Sequence, residues 1–441
     1  MNKKTENKAV SPWQWVPSLY FAQGIPYVVV MSVAVILFKR MGMSNTDIAL
    51  YTSGLNLPWV IKPLWSPLVD LLKTKRWWIV VMQILVGAGL AGIALTIQGP
   101  LAFRYCLAFM WLLAFSSATH DIAADGFYML GLNEKKQAYF VGIRNTFYRF
   151  AVIFGQGILV MFAGWLEQRY AREMPETAAI PQAWSLTFYL LTVLFALLFV
   201  YHYLFLPHPR RDTCTLPPQQ ASAGRVFKEF LGTFTSFFQK KHIVSALIFI
   251  LLYRFAEAQL VKITSPFLLD TPATGGLALS TAEVGFIYGT IGVIALTIGG
   301  IVGGIAMARR GLKSCLWTMT IAMNLPNIVY LYLSFARPES IVIISGCVAI
   351  EQFGYGFGFT SLTYFMMLFS NGKHQTAHYA ICTGFMALGL MLPGMISGWI
   401  EESIGYRAFF VWIMLCTIPS FWATHLVRKN LTDNHSDNSS R

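Results

Sequence analysis

Apolar residues in this chain gather into long runs instead of alternating with polar ones. The runs fall near 15–38, 48–69, 77–97, 101–130, 141–165 and 185–206, and again near 243–268, 283–308, 315–335, 340–369, 377–399 and 407–427. Each approaches or exceeds the roughly 20 residues a helix needs to cross the hydrocarbon of a bilayer. The pattern predicts an all-α integral membrane protein of twelve transmembrane helices, arranged as a six-helix half at 1–206 and a second at 243–430, followed by a polar tail at 431–441. The connection at 207–242 opens with Pro207, Pro209, Pro217 and Pro218, the composition of a linker. Farther on, Phe227, Phe230, Leu231, Phe234, Phe237 and Phe238 recur at helical spacing among Arg225, Lys228, Glu229, Lys240 and Lys241. That spacing predicts an amphipathic helix lying on the cytoplasmic membrane surface; the segment is too short and too charged for a thirteenth crossing.

Composition supports the membrane reading, because 56% of the residues are hydrophobic and only 12% charged, against about 25% charged in soluble domains. A net charge of +13 raises nucleic acid as a partner. The basic residues, however, sit in short loops between apolar runs and form no continuous basic face, which excludes it. With both termini on one side, the segments on that side hold 21 Lys and Arg against a handful on the other. This asymmetry predicts cytoplasmic termini. The six cysteines are scattered, with no Cys-x-x-Cys and no histidine cluster, so neither a disulfide framework nor a metal site is expected. The polar, basic N-terminal stretch lacks the pattern of a cleaved signal peptide. No Gly-x-x-x-x-Gly-Lys-Ser/Thr loop supports ATP-driven pumping, and no cofactor is expected.

Charge within the apolar runs narrows the chemistry, since an ionisable residue at membrane depth costs several kcal/mol (about 3 on lenient scales) and is functional by default. Between Phe115 and Met129 the fourth run holds His120, Asp121 and Asp125. The two aspartates are four apart and share a helix face, so they form either a packing pair or a protonatable site in a solute pathway. His120 reads either as a proton relay or as a neutral hydrogen-bonding partner. In the first run Tyr20, Gln23, Gly24 and Tyr27 share a face suited to a solute or to packing. Lys62 lies in Pro58-Trp-Val-Ile-Lys-Pro-Leu-Trp-Ser-Pro67, where it either binds substrate or snorkels towards Asp70. In the fifth run Arg144 is expected to anchor the cytoplasmic end, and the deeper Arg149 to face the aspartates. Arg254 and Glu257, three apart, are expected to pair, with Lys262 beyond them. Glu351-Gln352 precedes Gly354, Gly356 and Gly358, making Glu351 a second proton site or a packing hydrogen bond. The proton-coupling candidates are therefore Asp121, Asp125, Glu257 and Glu351; the substrate-binding candidates are Tyr20, Gln23, Tyr27, Lys62, His120, Arg149, Arg254 and Gln352. A slight cationic excess among the deeper charges favours an anionic solute.

The two halves also echo each other. Ser66, Asp70 and Lys75 follow the second run, and Gly304, Ala308, Arg309, Gly311 and Lys313 follow the eighth. Both resemble the Gly-x-x-x-Asp-Arg-x-Gly-x-Lys loop of the major facilitator superfamily, which makes Asp70, Lys75, Arg309 and Lys313 candidates for conformational-switch loops. Within that superfamily, Lys62-Pro-Leu-Trp-Ser-Pro-Leu-Val-Asp70, Ser117-Ala-Thr-His-Asp-Ile-Ala-Ala-Asp125, Leu252-Tyr-Arg-Phe-Ala-Glu257, Glu283-Val-Gly and Glu351-Gln-Phe-Gly-Tyr-Gly resemble the AmpG-like anhydromuropeptide permeases. The related acetyl-coenzyme A transporters share Asp-Ile-Ala-x-Asp-Gly. The resemblance implies a monomeric, non-enzymatic symporter of a bacterial inner membrane, working by alternating access. It would use protons to import carboxylate-bearing cell-wall fragments. Two features depart from this branch: His120 stands where glutamine is usual, and the outer loop from Glu167 to Trp184 is long. Acetyl-coenzyme A or another organic anion is the alternative cargo. A membrane acyltransferase using His120 and Asp121 as acid and base is a remote alternative, against which the two-half repeat stands.

Overall fold

Lipid offers no partners to backbone N–H and C=O groups, so a crossing segment satisfies them internally as a helix. The computed structural model describes residues 11–209, 212, 232, 234–372 and 375–438, and its described residues form helices joined by short turns, with no strand among them. In chain order these are α1 (Pro12–Arg40), α2 (Asn45–Gly54), α3 (Leu57–Leu72), α4 (Lys75–Thr96), α5 (Ala102–Gly131), α6 (Lys135–Tyr170), α7 (Glu176–Phe205), α8 (Ile243–Leu269), α9 (Thr281–Ala336), α10 (Ile341–Phe369) and α11 (Ala377–Asn430). Among the described residues nine of these, all but α2 and α3, are long and apolar enough to cross a membrane.

The twelve expected runs are distributed over these eleven elements. α9 and α11 each hold two of them, folded back at Gly311 (φ 71°) and Gly405 (φ 76°), where a left-handed backbone favours glycine. The expected second run is split into α2 and the 16-residue α3. The break falls at Leu55 and Asn56, just before Pro58 in the first turn of α3, where a missing backbone donor is tolerated, while Pro63 and Pro67 lie inside α3 without ending it. In α1, Pro26 likewise removes a donor and is followed by a π-helical turn at Val29–Val33.

Side chains from 15–206 form one apolar core at the end of the molecule that carries the termini, and side chains from 237–427 form another. The largest core joins both halves towards the opposite end, where Phe38 and Trp184 belong to the same cluster as Phe267 and Phe410. Two seams bring the halves together. α6 meets α9 at paired π-helical turns, Ile153–Ile158 and Gly285–Gly292, so close that a Cβ on Gly289 would sit 1.9 Å from the Gln156 carbonyl oxygen. α11 lies on α2, where a Cβ on Gly398 would sit 1.9 Å from the Asn45 carbonyl oxygen. The surface helix expected at 227–238 falls largely outside the described residues. Of its apolar face, Phe237 is fully buried and stacks 6.3 Å from Phe385.

Candidate functional site

α1, α3, α5 and α6 converge on the two aspartates of α5. Asp121 takes the Lys62 ammonium of α3 and the Gln23 amide of α1. One turn further on, Asp125 accepts a hydrogen bond from the Tyr20 hydroxyl (3.0 Å) and forms an ion pair with Arg144 of α6 (3.3 Å). Arg144 also donates to the Tyr20 oxygen (3.1 Å) and lies over the rings of Tyr20 and Tyr128, at 4.8 and 5.2 Å. Each carboxylate thus has its own cation from a different helix and its own polar partner from α1, where Tyr20 and Gln23 stand three residues apart on one face. The site is not sealed, since the Asp125 side chain keeps 39% of its surface exposed.

The second half supplies a matching but differently balanced group. The Arg254 guanidinium sits between the rings of Tyr355 (5.1 Å) and Phe359 (5.0 Å) and donates to the Tyr355 hydroxyl. Glu351 accepts hydrogen bonds from Tyr330 (3.1 Å) and Gln352 (2.9 Å). Glu257 is buried nearby, and one oxygen each of Glu257 and Glu351 has no partner among the described residues. Arg254 and Glu257 do not form the expected pair. Tyr253 and Arg254 fall between two helical segments, Ile243–Leu252 and Phe255–Leu269, so the helical three-residue spacing does not apply across them.

Tyr20, Gln23, Lys62, Asp121 and Asp125 are brought together as a group, and so are Glu351 and Gln352. Tyr27 instead packs edge-on against Trp59 at 5.3 Å. Arg149 is half-buried and makes no ion pair among the described residues; Arg144, expected to be an anchor, holds the position opposite Asp125. Five residues turn a helix by about 140°, so the two arginines cannot serve the same face. His120 points away from its neighbour Asp121, into the interior of the first half. Its Nε2 lies 3.1 Å from the Gln83 amide, which also contacts His202 Nδ1 (2.8 Å), and His202 Nε2 reaches Ser18 Oγ (3.0 Å). Neither Gln83 nor His202 stood out in the sequence, because one polar residue in an apolar run reads as packing. Lys262 is buried across the α2–α8 contact and donates to Thr52 Oγ1 at 3.3 Å. Of the switch-loop candidates, Lys75 is buried along Gly126, Arg309 and Lys313 are exposed beside the Gly311 turn, and the Asp70 side chain lies outside the described residues.

Paired six-run halves, helices interrupted at glycines and prolines, and counter-charged carboxylates at membrane depth together define a multi-pass secondary transporter, not an enzyme. The chain belongs to the Major Facilitator Superfamily, whose model matches residues 18–375. It is 24% identical to the anhydromuropeptide permease of Escherichia coli K12, over 94% of this chain and 79% of that protein. It is 25% identical to a transporter of Rickettsia conorii named AmpG 4, over 92% of this chain and 93% of the relative. Among solved structures it resembles a D-xylose-proton symporter (TM-score 0.69, 12% identity, 94% of this chain and 96% of that one) and the nucleoside transporter NupG (TM-score 0.68, 14% identity, 94% and 98%). The expected superfamily and the AmpG-like resemblance are thus both borne out.

Proposed function

We propose that this chain is a proton-coupled symporter that imports anhydromuropeptides, as a monomer, across a bacterial inner membrane with both termini in the cytoplasm. The observation that carries this reading is the pair of aspartates on α5, each held by a cation that a substrate carboxylate can compete for. Lys62 and Arg144 lie on helices other than α5, so an incoming carboxylate that takes either cation frees an aspartate to accept a proton. Charge-assisted hydrogen bonds of this kind are the strong ones, and a guanidinium can bind a carboxylate through two of them. Arg254, stacked between aromatic rings in the other half, offers a second anchor. Glu257 and Glu351, buried with no ion pair among the described residues, are the second proton-coupling candidates. Sugar rings of a cell-wall fragment suit the aromatic side chains around both groups.

Uptake into proteoliposomes under an imposed pH gradient tests this reading, with anhydromuropeptide, acetyl-coenzyme A and simple peptides compared. Accumulation of anhydromuropeptide that collapses with the gradient is the expected result. Asp125→Asn is expected to abolish accumulation against a gradient while leaving exchange intact. Accumulation that survives in both Asp121→Asn and Asp125→Asn would overturn the coupling assignment, and preferred uptake of acetyl-coenzyme A would replace the cargo.

A further inference from the structure

The end of the molecule opposite the termini holds a second polar cluster, far along the chain from the paired aspartates. Lys39, at the end of α1, bonds Asp270, just past α8, at 2.7 Å and donates to Asn45 Oδ1 at 2.8 Å. Tyr406 donates to the same Asp270 oxygen at 2.6 Å and accepts from the Asn45 amide at 2.8 Å. The circuit Lys39–Asp270–Tyr406–Asn45 therefore closes on itself across the two halves. Glu401 hangs from it, receiving the Asn45 amide at 2.6 Å while only 4% exposed. The charged groups around Glu401 are Lys39, Asp270 and Glu402, and Tyr406 faces the same cluster.

The charge count here is unbalanced. Among the described residues the cation of the cluster is Lys39, and it bonds Asp270. Three arginines of this end bond elsewhere: Arg40 to Glu167 (3.1 Å) and Glu176 (2.9 Å), Arg337 to the Pro272 carbonyl (3.0 Å) and Arg407 to the Ser334 carbonyl (3.2 Å). Glu401 is thus a buried carboxyl bonded by one neutral amide, with Lys39 acting on it across Asn45 rather than in an ion pair. Burying such a group ionised and unpaired is costly, and the cost vanishes when it holds a proton.

The geometry points to Glu401 as a proton-binding latch: the seam between α2 and α11 closes with a proton on Glu401 and opens when that proton leaves. This goes beyond the transport reading above, on whose alternating access it rests. The sign follows from linkage, because the form that binds more protons is favoured at low pH. Low pH therefore holds this end shut, and rising pH opens it.

The test needs no solute, so it stands apart from the identity of the cargo. Spin labels at Asp47→Cys and Ser403→Cys, both exposed positions, are placed across the seam in a background without native cysteines. Their separation is then read in lipid nanodiscs between about pH 5 and pH 8, a range that brackets a carboxyl buried without a counter-charge. In the otherwise native chain the ratio of short to long separations is expected to fall about tenfold across that range, the change that one unit of pKa difference between the two forms supplies. In Glu401→Gln, whose amide oxygen still accepts from Asn45, the short separation is expected to persist at every pH. Asp121→Asn, which leaves the seam untouched, is expected to keep the pH response. An equal response in Glu401→Gln, or no response in the unsubstituted chain, would overturn the latch. Loss of the response in Asp121→Asn alone would assign it to the α5 site and also overturn it.

Discussion

Arg144 and Arg149 lie in the same run and carry the same charge, yet they occupy different worlds in the folded chain. Arg144 pairs with Asp125 and stacks on Tyr20 and Tyr128, whereas Arg149 has no such partner among the described residues. A hydrogen bond to a charged group contributes about 1.5–3 kcal/mol, so Arg144→Gln should cut uptake about 10–100-fold. Arg149→Gln should cost much less. Uptake rates of the two variants at matched protein amounts check the contrast. The buried chain Ser18–His202–Gln83–His120 makes a different demand, because its members face one another and not the solute. Gln83→Leu would leave both imidazoles short of a partner at about 1–3 kcal/mol. The expected outcome is a lower thermal midpoint, with the KM of the folded fraction unchanged. Which residues are charged at membrane depth was legible in the sequence; the partner of each was not, because pairing depends on how far each helix is rotated about its own axis.

Between elements, the halves are joined by glycines at points where backbone meets backbone. Gly289 faces the Gln156 carbonyl and Gly398 the Asn45 carbonyl with no room for a Cβ. Larger residues there should hold α6 away from α9, or α11 away from α2, without disturbing either helix alone. Gly289→Val and Gly398→Leu are therefore expected to abolish uptake while the protein still elutes as a folded monomer, with faster hydrogen exchange in the turns near 270–280 and 400–406. The apolar runs foretold most of these helices well. The gaps between runs at 309–314 and 400–406 also foretold the fold-backs inside α9 and α11, which fall at Gly311 and Gly405. The second run is interrupted at Leu55 and Asn56, next to Pro58, whereas Pro63 and Pro67 lie inside α3, so of its prolines Pro58 alone stands at the break.

For the molecule as a whole, the asymmetry of its cores defines the state described. One core spans both halves towards the end opposite the termini, while each half keeps a separate core at the end that carries them. The Lys39–Asp270 and Thr281–Glu167 (2.6 Å) bonds reinforce the joined end. In alternating access, opening this end means breaking those bonds together. Lys39→Gln removes the cation that pairs with Asp270 in this cluster, and leaving a partly buried Asp270 without it costs enough to favour the open form. The expected result is a shift towards the long separation between labels at positions 47 and 403 at neutral pH, with slower accumulation. Unchanged label separations in that variant would show that the apolar core alone holds the end shut.

By itself the sequence determined that this is a helical membrane protein built of two halves, with acids and bases at membrane depth and an AmpG-like set of motifs. Hydropathy and helical period are local properties, and a run of 20 residues carries them whole. Tertiary structure alone decided that Arg144 serves Asp125, that His120 turns to Gln83, that Arg254 and Glu257 stand apart, and that the halves close at the end opposite the termini. Those choices depend on helix rotation and on which distant helices become neighbours, and both are set by packing between segments a hundred or more residues apart.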